Sequence, residues 1–177
     1  THTYAGVNAL KKKMRFLGVS PKKYKIDTIA SWSLRFCLSY PKNSNWTIEK
    51  PSSDEWIELY ATCASLLDKS FVQKIIKASY TGVYVDEYQD CSTTQHKLVS
   101  ELSKLLPCRI LGDPMQAIFD FSEEPVDWDK EIYPEFELLG KLEVPWRWNN
   151  VGANDIGEWL SDVRTILDNG GKINLSS

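Results

Sequence analysis

The sequence predicts an α/β domain in which a parallel sheet is flanked by helices. Three observations carry this. Short apolar runs arrive in succession at residues 82–85, 109–111 and 136–142. A helix-like segment, residues 93–106, separates the first two. The run Val83-Tyr84-Val85 lacks polar alternation, the pattern of a strand buried on both sides. With 177 residues, 42% of them hydrophobic, the chain has material for one ordinary domain and the beginning of a second.

From the N-terminus, residues 5–17 place Val7, Leu10, Met14 and Leu17 at helical spacing, and Gly18 stands where that helix should stop. A strand-like stretch follows at 24–29, then an apolar segment at 32–40. Residues 41–53, rich in Pro, Asn and Ser, read as a loop. Residues 54–78 read as a helix with Trp56, Leu59, Tyr60, Leu66 and Leu67 as core positions. After the three apolar runs, residues 151–167 read as a helix ended by Asn169-Gly170-Gly171. Lys172 to Leu175 would begin another strand.

Several function classes are disfavoured. No apolar run approaches the roughly 20 residues of a membrane span, and no signal peptide is visible, so a cytoplasmic protein is expected. Cys37, Cys63, Cys91 and Cys108 lie far apart without a CxxC pair, which speaks against zinc and against a disulfide framework. The chain opens on Thr-His-Thr rather than Met, as a fragment would. The net charge of −3 conceals an asymmetry: residues 1–25 hold seven Lys or Arg and no acid. Such a run is either a solvated helix face or a patch that attracts phosphates, and charge alone does not decide between them.

The most informative stretch is Val83-Tyr84-Val85-Asp86-Glu87-Tyr88-Gln89-Asp90, an apolar strand ending in two adjacent carboxylates. In open α/β sheets ligands bind beyond the carboxyl ends of the strands. Asp86 suits a hard cation such as Mg²⁺, which takes one or two carboxylates together with phosphates and waters. Glu87 is placed to orient or deprotonate a water.

This string resembles the Walker B motif of UvrD/Rep-type superfamily-one DNA helicases, an apolar strand followed by Asp-Glu-any-Gln-Asp. Some 20 residues on, Leu111-Gly112-Asp113-Pro114-Met115-Gln116-Ala117-Ile118-Phe119 resembles the next motif of that family, Gly-Asp-any-any-Gln-any-Ile-aromatic. Thr1-His2-Thr3-Tyr4-Ala5-Gly6 is similar to the family's segment after the first motor helix. Asp27-Thr28-Ile29-Ala30-Ser31 is similar to its next DNA-contacting segment, with Ala30 where His is usual. Val144-Pro145-Trp146-Arg147-Trp148-Asn149 is similar to its Asn-Tyr-Arg segment.

The resemblance implies a RecA-like P-loop NTPase core. It divides into residues 1–34 and 81–143 of the first motor domain, a small helical insertion at 35–80 and the start of a second motor domain at 144–177. It implies ATP and Mg²⁺ as cofactors, single-stranded DNA or a duplex–single-strand junction as partner, and ATP-driven translocation as function. Asp86 would hold the metal, Glu87 would handle the water, Gln116 would sense the γ-phosphate and Arg147 would neutralise charge on the transferred phosphoryl group. Thr1, Thr3, Tyr4 and Thr28 would contact DNA, and Phe121 would stack on an unpaired base.

Two departures stand out. Asp120-Phe121-Ser122-Glu123-Glu124 puts acids where the family commonly carries arginines, and no GxxxxGK[ST] phosphate loop occurs, so that loop is expected upstream of Thr1. An alternative reading is a nucleotide- or DNA-end-sensing module that regulates a partner nuclease or another repair or defence subunit. Compact members of this family occur in anti-phage systems such as Gabija.

Overall fold

The computed structural model describes residues 1–117 and 124–173. It divides into two compact units, Thr1–Glu137 and Leu138–Ser177. Helix α1 (Tyr4–Phe16) starts where the Thr3 side chain accepts a hydrogen bond from the Gly6 N–H. It stops at Leu17, followed by Gly18 in the left-handed region at φ +69°. Of its expected apolar stripe, Val7 is buried and Leu10 and Met14 half-buried, whereas Leu17 is exposed.

Residues 24–28, expected as part of a strand, run without ladder pairing into helix α2 (Ile29–Ser39). Local chemistry explains the difference. The Thr28 hydroxyl accepts from the Ser31 N–H at 2.9 Å, an N-cap that starts a helix one residue later. The Ile29 N–H, which a ladder would use, donates to the Thr1 carbonyl.

The expected loop at 41–53 begins with one helical turn, α3 (Pro41–Ser44), closed by Asn45 at φ 56°. It also buries Trp46, whose indole N–H donates to the Ile48 carbonyl. The helix expected at 54–78 is two helices, α4 (Ser53–Leu67) and α5 (Ser70–Ser79), because Lys69 is extended at ψ 126°. A capping box opens α4, with Glu55 accepting from the Ser52 N–H at 2.6 Å. Leu59, Tyr60, Leu66 and Leu67 are buried as expected, and Trp56 is half-buried.

Strand β1 (Val83–Val85) and strand β2 (Cys108–Ile110) pair in parallel, with Val83 opposite Cys108 and Val85 opposite Ile110. Helix α6 (Thr93–Ser103) connects them and is opened by a Ser92–Gln95 capping box. α4 packs on both α2 and α6, so a first core gathers Cys37, Leu59, Cys63, Leu66, Ile76 and Leu98. A second core forms around Val85, Tyr88, Cys91, Val99, Val126 and Ile132. The four cysteines are free thiols. Beyond β2, a π-helical turn (Trp128–Ile132) leads into α7 (Tyr133–Glu135).

The run at 136–142 forms no strand, and Leu138, Leu139 and Leu142 are exposed. The sheet among the described residues is therefore two-stranded. β1 is buried on one face only: Val85 is buried, Val83 half-buried and Tyr84 71% exposed. With side chains alternating at period two, Tyr84 points away from the core. An apolar run becomes a strand only where a partner's backbone groups are in register to pair with it, and the run at 136–142 has none.

In the second unit, α8 (Trp146–Asn149) and α9 (Asn154–Asp168) pack closely. A Cβ on Gly157 would come within 3.0 Å of Pro145. The strand expected from Lys172 falls largely outside the described residues; Lys172 and Ile173 are irregular. No helix among the described residues is long and apolar enough to cross a membrane.

Two stability effects follow from this packing. Leu59 is fully buried on the helix that touches both α2 and α6. Leu59→Ala is expected to lower unfolding free energy by ~2–5 kcal/mol in urea titrations.

His96 is buried and its Nδ1 lies 2.8 Å from the Tyr88 hydroxyl. Burial lowers the His96 pKa, against the raising influence of Glu135 and Glu131. The unfolded chain takes up that proton near pH ~6.5 and the folded chain only at lower pH, so His96 makes stability fall as pH drops through and below that value. His96→Asn keeps an acceptor for Tyr88 and removes the titration. Melting curves between pH ~7 and ~5 should show a shallower loss of stability in the variant.

Candidate functional site

β1 delivers its carboxylates through an unusual turn. Leu111 N–H donates to the Val85 carbonyl at 2.8 Å, and Tyr88 N–H donates back to the Leu111 carbonyl at 2.9 Å. To allow this, Glu87 adopts the left-handed conformation at φ 58°, ψ 47°, a cost of order ~1–3 kcal/mol for a non-glycine residue. The chain then enters a 3₁₀ turn, Tyr88–Asp90, which drives Tyr88 fully into the second core and leaves Glu87 exposed. Burial raises the Tyr88 phenol pKa, so it stays protonated and donates to Nδ1 of a neutral His96.

The segment after β2 folds against this turn. Gly112 permits this close approach: a Cβ would lie 3.0 Å from Tyr88 N, Tyr88 Cβ and Gln89 Oε1 and would press the turn apart by a few tenths of an ångström. Asp113 then caps the short 3₁₀ helix Pro114–Gln116, its Oδ1 accepting from the Met115 N–H. Its Oδ2 accepts from the Gln116 side-chain amide at 2.8 Å.

Gln89, only 5% exposed, joins the two segments. Its Nε2 donates to Glu87 Oε2 at 2.7 Å, and its Oε1 accepts from the Asp113 N–H at 3.0 Å. The reverse amide orientation would oppose oxygen to carboxylate and N–H to N–H, so a single orientation serves both bonds. Glu87, Gln89, Asp113 and Gln116 thus form one continuous chain of hydrogen bonds. The sequence motifs assign a role to Glu87 and Gln116 and none to Gln89 and Asp113, which lie within the same motifs. The signal available for Asp113 was its position three residues before Gln116, ahead of Pro114, where an N-cap belongs.

Asp86 is half-buried, and its carboxylate makes no hydrogen bond or ion pair with a described residue. One Asp90 carboxylate oxygen is buried without a partner, and burial followed by the Glu87 charge raises the Asp90 pKa. Among the described residues no group of three His, Cys, Asp or Glu gathers as a metal-binding cluster. A single carboxylate, Asp86, at the strand end fits Mg²⁺, which draws most of its ligands from phosphate and water, and does not fit a dedicated protein cage.

A second set of predicted residues converges at the adjoining starts of α1 and α2. Thr1 is buried with its carbonyl on the Ile29 N–H. The Thr3 and Thr28 hydroxyls serve as N-caps. The Tyr4 hydroxyl lies 2.9 Å from Ser31 Oγ while its ring remains 71% exposed. Arg35 pairs with Asp27, whose other oxygen accepts from the Thr28 N–H, fixing the entry to α2. Arg147 is exposed on α8 in the other unit, and Phe121 lies outside the described residues.

A family model described as the UvrD/REP helicase N-terminal domain matches residues 8–127. No curated protein and no solved structure matches the chain. The matched span runs from within α1 through β2 and includes the carboxylate turn and the Gly112–Gln116 segment, well over half of the sequence. The chain therefore belongs to the UvrD/REP helicase N-terminal domain family.

Proposed function

We propose that this chain is the first motor domain of an ATP-dependent helicase or translocase that moves on single-stranded DNA or at a duplex–single-strand junction. The observation that carries the reading is the hydrogen-bonded chain from Glu87 through Gln89 and Asp113 to Gln116, inside the matched family domain. It holds a carboxylate and an amide in fixed relation beyond the end of a parallel strand, where ligands of α/β sheets bind.

In this reading Asp86 is the protein's ligand to Mg²⁺, which when bound would neutralise phosphate charge. Glu87, exposed yet anchored, accepts a proton from or orients the attacking water. Gln116 presents an amide able to donate to a phosphate oxygen and accept from that water. Arg147 supplies positive charge to the transferred phosphoryl group. On the DNA side, the Thr1–Tyr4 segment and the start of α2 form the contact face. The caps leave the Thr3 and Thr28 hydroxyls already engaged, so the exposed Tyr4 ring is the strongest local contact. Phe121, outside the described residues, keeps the proposed role of stacking on an unpaired base.

In the intact protein, Glu87→Gln should retain ATP binding and lose ~10²–10⁴-fold in turnover, because the amide keeps the shape without the base. Near-normal kcat in a steady-state ATPase assay would remove Glu87 from this role. Tyr4→Ala should weaken single-strand binding by ~1–3 kcal/mol with little sequence preference, as measured by fluorescence anisotropy with mixed-sequence oligonucleotides. Unchanged affinity would take Tyr4 out of the contact face.

A further inference from the structure

We infer that Gln89 is a positioning residue for hydrolysis: it fixes the Glu87 carboxylate and locks it to the Gly112–Gln116 turn, so that the water-handling group and the phosphate-sensing amide are held as one unit. This rests on the roles of Glu87 and Gln116 given above.

Three features of the geometry support it. First, Gln89 is nearly buried, and both ends of its amide are used, one by a carboxylate and one by a backbone N–H from a different strand's loop. A buried amide satisfied at both ends has little freedom to rotate. Second, its carboxylate partner sits on the one residue of this loop held in the left-handed conformation. The exposed Glu87 side chain has no other described hydrogen bond, so without Gln89 its long, rotatable stem would sample many rotamers. Third, the far end of the amide holds the N–H of Asp113, whose side chain in turn holds Gln116 Nε2. A shift at Gln89 would therefore move both reactive groups. The close approach of Gly112 to Gln89 Oε1 shows that the loop is built around this side chain.

The chemistry explains why a glutamine is needed. Glutamate at 89 could still accept from the Asp113 N–H but would set a second negative charge against Glu87. Methionine has the length to fill the space and offers neither bond. Both are testable in the intact protein by steady-state ATPase kinetics with single-stranded DNA present. Gln89→Glu and Gln89→Met should each lower kcat by ~10-fold or more, short of the ~10²–10⁴-fold loss expected for Glu87→Gln, with KM for ATP little changed. Gln89→Glu should leave the Asp113 amide protected from hydrogen exchange, whereas Gln89→Met should expose it.

Wild-type kcat in either folded Gln89 variant, or a loss confined to KM, would overturn the proposal. Should both variants fail to fold, the wild-type protein decides: slow exchange at the Asp113 amide supports the bridge, and exchange as fast as a free loop amide overturns it. Glu87→Gln run in parallel separates the two levels. If it turns over normally, the reading of Glu87 falls and this inference with it. If it is inactive while both Gln89 variants work normally, the inference alone falls.

Discussion

The β1–β2 ladder continues one step past the last paired residues, and that continuation organises the rest of the site. In a regular parallel pair the two strands would run on side by side. Here Leu111 N–H still reaches the Val85 carbonyl, but the Leu111 carbonyl is met by the Tyr88 N–H, which requires the chain to fold back sharply after Asp86. Glu87 makes this turn in the left-handed conformation. The strain, of order ~1–3 kcal/mol, is offset by the burial of the Tyr88 ring, its hydroxyl satisfied by His96, and by the two ladder bonds. A fully buried aromatic side chain alone contributes on that scale. Gly112 completes the arrangement, because a Cβ there would crowd the Tyr88 backbone at 3.0 Å.

That fold-back concentrates acids. Asp86, Glu87 and Asp90 lie within five residues, and none of the three has an ion-pair partner among the described residues. Like charges this close oppose one another: the Asp90 pKa is raised first by burial and then by the Glu87 charge. Gln89 relieves part of the repulsion without neutralising it: its amide gives Glu87 a donor but no charge. The loop therefore keeps three carboxylates without a cationic side-chain partner among the described residues, and the polyanionic nucleotide of the proposed function would approach it with a cation between them. In the function proposed above, Asp86 is the carboxylate that would hold that cation. Charge at this loop thus favours a metal–nucleotide complex over the bare nucleotide.

Much of the fold was legible where side chains act on their own neighbourhood. Apolar spacing located α1, α4, α6 and α9, and the run Val83–Val85 with the turn signals around it located β1. The errors share a cause: they concern partners rather than preferences. Residues 24–29 and 136–142 carry strand-like composition, yet pairing depends on backbone groups elsewhere, which no local pattern reports. Tyr84 is apolar enough for a doubly buried strand and is nonetheless exposed. The break between α4 and α5 falls at Asp68–Lys69, where neither glycine nor proline marks it. At the site, the motifs point to Asp86, Glu87 and Gln116 by type and order, as the proposed function uses them. The left-handed Glu87 was not legible, since glycine is the residue that usually signals that conformation. The bridging role of Gln89 was not legible either, because its second partner lies 24 residues away.

The two clusters of predicted residues are continuous in the structure through a contact between neutral groups. Cys91 ends the turn that begins at Glu87, its N–H donating to the Tyr88 carbonyl, and its sulfur lies 3.4 Å from His2 Nε2. His2 stands between Thr1, whose carbonyl holds Ile29, and Thr3, which caps α1. Burial raises the Cys91 thiol pKa and pushes that of His2 down to about 4, so near neutral pH one is a thiol and the other an uncharged imidazole. A charged pair at this position would bear a desolvation cost that one weak contact does not offset. A thiol and a neutral ring can be buried against each other without it. The His2–Cys91 contact thereby links the segment that precedes α1 to the end of the carboxylate turn, joining the face proposed for DNA to the residues proposed for ATP.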